Sequence, residues 1–175
     1  MAILQAVTTW LTSNTALVVA VCALFVAGYQ ASATRRHNRL SVRPHVVVTA
    51  ERLYDGPKAC FVVKLRNNGL GPAIIRGYEA LLDGKPFNTK NTDEVATKVR
   101  ELAKRQFLNF RHFHLASGDA FAKDQEVVLL NVELPLFIGD VGNKVLEPFE
   151  RLSTRIAYES VYGEKFAYDS DKAGQ

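Results

Sequence analysis

The sequence predicts a mainly β protein: an N-terminal transmembrane helix followed by an immunoglobulin-like antiparallel β-sandwich with one inserted α-helix. Three observations carry this. The first 34 residues hold no charged side chain; four arginines follow at once, Arg35, Arg36, Arg39 and Arg43; and from Val46 onward short apolar runs alternate with Gly, Asn, Asp and Pro turn signals. The expected organisation is a helical segment over 1–34, a basic juxtamembrane linker over 35–45 and a sandwich domain over 46–175.

The chain is uncharged from Ala6 to Tyr29 and densest in apolar residues between Ala16 and Gly28, a stretch longer than the roughly eighteen residues that mark a spanning helix. On one continuous helix Trp10 and Tyr29 lie about 28 Å apart, close to the thickness of a hydrocarbon core, and read as the two interfacial aromatic belts. A cleaved signal peptide is the rival reading, because Ala31-Ser32-Ala33 forms an A-x-A-like site. Against it, the start lacks a basic n-region and the arginines follow the site immediately. Ala16, Ala20, Ala23 and Ala27 follow spacings of four, three and four. They form one small-residue stripe of the kind through which membrane helices associate.

The arginines set orientation. Basic residues flanking a span stay on the cytoplasmic side, which places the N-terminus outside and the bulk of the chain in the cytoplasm; a periplasmic domain is the consequence of the inverse topology. The same residues are placed to meet anionic lipid headgroups, so the bilayer is the first expected partner. Of 22 basic residues these four stand alone, and the 18 that remain equal the 18 acidic ones. The net charge of +4 is therefore local, and the folded part is neutral, which excludes nucleic acid as a partner.

Beyond Pro44, which stops any helical extension, HVVVTAERL, ACFVVKLRN, AIIRGYEALL, QEVVLLNVEL, RLSTRIAYES and EKFAYD read as strands. Phe61, Val63 and Leu65 alternate with Lys64 and Arg66, and Val128, Leu130, Val132 and Leu134 alternate with Asn131 and Glu133. That period of two belongs to a half-buried antiparallel sheet. Asp83-Gly84 suits a two-residue hairpin, and Pro86 after it an edge strand. A helix is predicted near 92–107, opened by Asn91 or Thr92, with Val95, Val99 and Leu102 on one face; Glu94 with Lys98 and Glu101 with Arg105 are i,i+4 pairs on the other.

No motif carries a recognisable chemistry. Asn67-Asn68-Gly69-Leu70-Gly71-Pro72-Ala73 is glycine-rich but lacks the Lys-Ser/Thr and following helix of a phosphate cradle. Asn67, Gly69, Gly71 and Pro72 are read as a structural turn in which the glycines permit positive φ and Pro72 holds Gly71 extended. His112 and His114, two apart on a strand, share a face and could meet one metal, but no third ligand has convincing spacing. No G-x-S-x-G occurs and no cysteine lies beside a plausible base. The expectation is a non-enzyme with no cofactor and no metal.

His37-Asn38-Arg39-Leu40-Ser41-Val42-Arg43-Pro44 directly after a single span, the Leu65 to Ala73 turn leading to Leu82-Asp83-Gly84, and Ile156 to Gly163 together resemble a pattern in small, uncharacterised bacterial single-pass membrane proteins. The N-x-G-x-G-P-A turn is also similar to that of bacterial immunoglobulin-like modules related to cell adhesion. The resemblance implies a bacterial inner membrane and a sandwich; it carries no catalytic residue. Two functions follow as expectations. One is a membrane-anchored interaction or sensing module, acting as a homo-oligomer or with a membrane partner protein, its small-molecule ligand, if it has one, undefined. The other is a membrane effector of a stress or anti-phage response that oligomerises and perturbs the bilayer.

Overall fold

A charge-free start with two small polar clusters folds as two helices, α1 (Ala2–Ser13) and α2 (Thr15–Ser41), separated at Asn14, whose φ of −114° and ψ of 24° leave the helical region. The break has a local cause. Ser13 Oγ donates to the Thr9 carbonyl at 2.8 Å and Asn14 Nδ2 to the Trp10 carbonyl at 2.9 Å, drawing side chains into the backbone ladder. Trp10 and Tyr29 therefore lie on different helices, and the single-helix spacing between them does not apply. α2 alone is long and apolar enough to cross a membrane, and none of it is buried. It continues through Arg35, Arg36 and Arg39, so these arginines are helical and not part of an extended linker. Pro44, three residues past its end, bars further helix.

The structure, a computed structural model, describes residues 1–137, 140 and 142–173. Met1–Ser41 forms one unit and Val42–Gln175 a second, which begins four residues before the boundary read from the sequence. The second unit is an antiparallel β-sandwich. β1 (Val46–Asp55), β2 (Lys58–Asn67), β5 (Asn109–His112) and β7 (Glu126–Pro135) make one sheet in the order β1-β2-β7-β5. β3 (Ala73–Leu82), β4 (Lys85–Phe87), β8 (Leu152–Glu159) and β9 (Lys165–Asp169) make the other in the order β4-β3-β8-β9, with β6 (Ala120–Phe121) also paired to β3. The six strand runs read from the sequence are β1, β2, β3, β7, β8 and β9. The three others are two to four residues long, too short to show a period.

Turn chemistry fixes the hairpins. Asp83 and Gly84 both take positive φ, 52° and 74°, the conformation that matches the twist of a two-residue hairpin, and Pro86 sits on the resulting edge strand. Two bulges then decide which side chains face inward. β2 and β7 shift register between Val63 and Lys64, so that Lys64 faces Val128 while Val63 faces Leu130. Leu129 takes the inward place at 1 % exposure and Val128 is pushed out at 40 %, which corrects the simple alternation expected from Val128 to Leu134.

The core has two parts. Between the sheets lie Val46, Leu65, Ile75, Leu129, Ile156 and Tyr158. At the other end Phe61, Val132 and Leu134 of the first sheet pack with Val95 and Val99 of α3 (Thr92–Ala103) and with Phe149 of a 3-10 turn, Glu147–Arg151. The Phe61 and Phe149 rings meet at 4.7 Å. α3 stops earlier than its charge pattern suggests because Lys104 adopts the left-handed conformation, φ 52°. Arg105 is thereby off the helix and cannot reach Glu101. It forms a two-pronged pair with Asp140 at 2.8 and 3.2 Å and donates to the Pro135 carbonyl. With the Phe137 N–H as a second donor, this holds the Asp140 carboxyl down to about 2. Lys98 likewise pairs with Glu101, and Glu94 turns back to accept the Asn88 N–H, in place of the expected Glu94–Lys98 contact.

Asn91 caps α3, its Oδ1 accepting from the N–H groups of Asp93 and Glu94. Asn91→Ala is expected to lower the urea-unfolding free energy by about 1 kcal/mol, whereas Asn91→Asp retains the acceptor and stays within a few tenths of the parent.

Candidate functional site

The glycine-rich turn is built around Asn67, which ends β2 and is fully buried. Its Oδ1 accepts from the N–H groups of His45 (3.1 Å) and Gly69 (3.0 Å). Its Nδ2 donates to the carbonyls of Gly71 (2.8 Å), Phe121 (3.0 Å) and Ala122 (3.3 Å). The segment 42–45 lies along this turn: Leu70 N–H bonds the Arg43 carbonyl and Asn68 N–H the His45 carbonyl. Neither Gly69 nor Gly71 has positive φ, which corrects the reason assigned to them. They are glycines because a Cβ would fall 2.3 Å from the His45 nitrogen in one case and 1.8 Å from the Val42 oxygen in the other. The turn receives an irregular segment of its own chain, and Pro72, directly before β3, keeps Gly71 extended.

Arg43 is held in the same place. Its guanidinium lies 4.8 Å from the centre of the Phe166 ring, and that ring stacks on Tyr158. The sequence grouped Arg43 with Arg35, Arg36 and Arg39; the structure separates it, as a part of the sandwich.

His112 and His114 do face the same side, toward Tyr78 and Thr89. His114 Nδ1 and Thr89 Oγ1 are 3.0 Å apart, and the His114 and Tyr78 rings lie 6.0 Å apart. His112 lines a cavity of 30 Å³ between the sheets, shared with Tyr78, Thr89 and Thr154. Such a volume suits a water or two and no substrate. His112 Nε2 and Thr154 Oγ1 are buried there without a hydrogen-bond partner in the protein. Burial, followed by the proximity of His114, pushes the His112 imidazole below its ordinary value, so it sits neutral; burial likewise raises the Tyr78 phenol to about 12. Among the described residues no group of three or more metal-ligating side chains forms, so the two histidines are not joined by a third ligand.

The second sheet presents a groove that sequence reading did not anticipate. Gly77 of β3 faces Ala157 of β8, which faces Ala167 of β9, so three small residues align across three strands. The groove above them has a volume of 560 Å³ and is bordered by Glu79, Arg155, Asp169 and Lys172. The bulge between Ile75 and Gly77 sets this alignment. In sequence the three residues are 80 and 10 positions apart and carry no mutual signal.

A helix able to cross a membrane joined to an antiparallel β-sandwich defines the class of the chain. It belongs to the family described as a domain of unknown function (DUF8453), whose model matches residues 6–172 and so includes both units. No curated protein and no solved structure matches the chain.

Two outcomes test these arrangements. A fragment beginning at Val42 is expected to unfold cooperatively, and one beginning at Val46 to be less stable by about 2–4 kcal/mol, since it loses two backbone–backbone hydrogen bonds, the His45 N–H bond to Asn67 and the Arg43 contact. Because the folded state favours neutral His112, the unfolded chain takes up its proton first as pH falls. Stability from this group is complete above 6.5 and declines as pH drops below it. Urea midpoints at pH 7.5 and 5.5 should therefore differ more for the parent than for His112→Leu; an equal difference would remove His112 from the acid sensitivity.

Proposed function

We propose that the chain is a membrane-anchored, non-catalytic interaction module that displays its sandwich at the cytoplasmic face of a bacterial inner membrane. The carrying observation is the division of charge. Thirty-four uncharged residues supply the span, Arg35, Arg36 and Arg39 follow on the same helix, and the net charge of the remainder beyond Val46 is zero. Arginines flanking an uncharged helix are retained inside, which supports the orientation. The family match over 6–172 takes in helix and sandwich together, which supports a retained span over a cleaved leader.

The sandwich offers shaped surface and not a reaction centre. Its groove over Gly77, Ala157 and Ala167 has an apolar floor and rims of both signs, suited to a partner's segment with mixed charge. A second reading, in which spans cluster and perturb the bilayer, is favoured by the exposed stripe Ala16, Ala20, Ala23 and Ala27 along α2. Growth arrest or depolarisation on expression, abolished by leucine at Ala20 and Ala23, would favour that effector over the display module.

The orientation has its own measurement. A reporter fused to the C-terminus is expected to be active in the cytoplasm, and replacing Arg35, Arg36 and Arg39 with glutamine to give mixed orientation. Activity confined to the periplasm would overturn the reading.

A further inference from the structure

The charges of the sandwich balance beyond Val46, and many of them are paired within it. Arg52 pairs with Glu150, Lys64 with Glu51 and Glu126, Arg105 with Asp140, and Arg155 with Asp169. Arg43, the last of the arginine run, is turned onto Phe166. Arg35, Arg36 and Arg39 are left exposed, with no ion pair among the described residues. They carry three of the four charges by which the chain's basic residues exceed its acidic ones.

Their placement is one-sided. α2 stays helical to Ser41, and at about 100° per residue Arg39 falls some 40° and Arg36 some 100° from Arg35. The opposite side carries Thr34, His37 and Asn38, none of them a lysine or arginine. Arg35 and Arg39 are one turn apart, so their Cβ atoms lie about 6 Å from each other and two forked guanidinium groups can close on one phosphate. Arg36 stands beside them to take a second. Along the axis Arg35 lies about 9 Å and Arg39 about 15 Å beyond Tyr29, and long side chains reach back toward the polar layer outside the hydrocarbon core.

We propose that Arg35, Arg36 and Arg39 form a binding site on one face of α2 for an anionic phospholipid headgroup that carries two phosphates. The proposal rests on the membrane-anchored reading and deepens it: the arginines recognise a lipid by geometry in addition to setting orientation by charge. A site that depended on net charge alone would not distinguish where around the helix the arginines stand, nor whether two phosphates belong to one headgroup or to two.

The test uses the full chain in nanodiscs of phosphatidylcholine containing either phosphatidylglycerol or half as much diphosphatidylglycerol, so that total negative charge is matched. Lipid retained by the protein is read by native mass spectrometry. One variant, R35Q/R36Q/R39Q, removes the charge. A second, R35Q/H37R/N38R/R39Q, keeps three arginines at the same depth but spreads them over about 200° of the helix. The parent is expected to enrich diphosphatidylglycerol over phosphatidylglycerol, and both variants to lose about tenfold in that enrichment. Equal retention of the two lipids by the parent, or parent-like enrichment by the redistributed variant, overturns the proposal. A chain that does not enter nanodiscs overturns the anchored reading as well; one that enters without enrichment overturns this proposal alone.

Discussion

The buried carboxamide of Asn67 is the constraint on which the sandwich depends. It stands where β2 ends, where the chain crosses to the second sheet and where the segment 42–45 enters, and it satisfies five backbone groups: His45, Gly69 and Gly71 from these places and Phe121 and Ala122 from the end of β6. A buried donor or acceptor left without a partner costs about 1–3 kcal/mol, so no residue without both an amide N–H pair and a carbonyl oxygen can replace it cheaply. Gly69 and Gly71 follow from the same constraint, because the segment can lie against the turn only where side chains are missing. Val46 and Val48 continue it: the Val46 N–H donates to the Tyr158 hydroxyl at 3.4 Å and the Val48 carbonyl accepts from Tyr168 at 3.0 Å. Tyrosines of one sheet thus cover backbone groups on an edge of the other, which limits strand addition there.

Polar groups elsewhere are less completely served: His112 Nε2, Asn131 Oδ1 and Thr154 Oγ1 are buried without a protein partner, and two of these three lie together. His112 Nε2 and Thr154 Oγ1, one from each sheet, lie without protein partners around the same small cavity. The cavity sits beside α3, where Val95 and Val99 supply apolar walls. This interior can respond to acid, but its size leaves no room for substrate chemistry.

Charge is partitioned between the two units. In the sandwich, cations and carboxylates face each other across neighbouring strands, as Arg155 does Asp169 and Arg76 does Glu159, which leaves no field of one sign there. On α2 the arginines have no acidic neighbour, because no aspartate or glutamate precedes Glu51. The electrostatic character of the whole chain is therefore concentrated in one turn of helix next to its apolar stretch, and a bilayer surface is the environment in which that concentration is favourable.

Composition and period alone determined a helix able to cross a membrane, the positions of six strands, the Asp83-Gly84 hairpin and the apolar face of α3. Each of these is a local property: a run without charge, an alternation, a turn pair with positive φ, a repeat at three and four. Tertiary structure decided what depends on register. The bulge at Val63 and Lys64 exchanged Leu129 for Val128, the bulge before Gly77 aligned it with Ala157 and Ala167, and the left-handed Lys104 gave Arg105 to Asp140. It also gave Gly69 and Gly71 their purpose and moved Arg43 from the arginine run to Phe166. The physical reason is that a single inserted residue, a single φ or the close approach of a distant segment changes which groups meet across parts far apart in sequence, and none of these leaves a trace in local pattern.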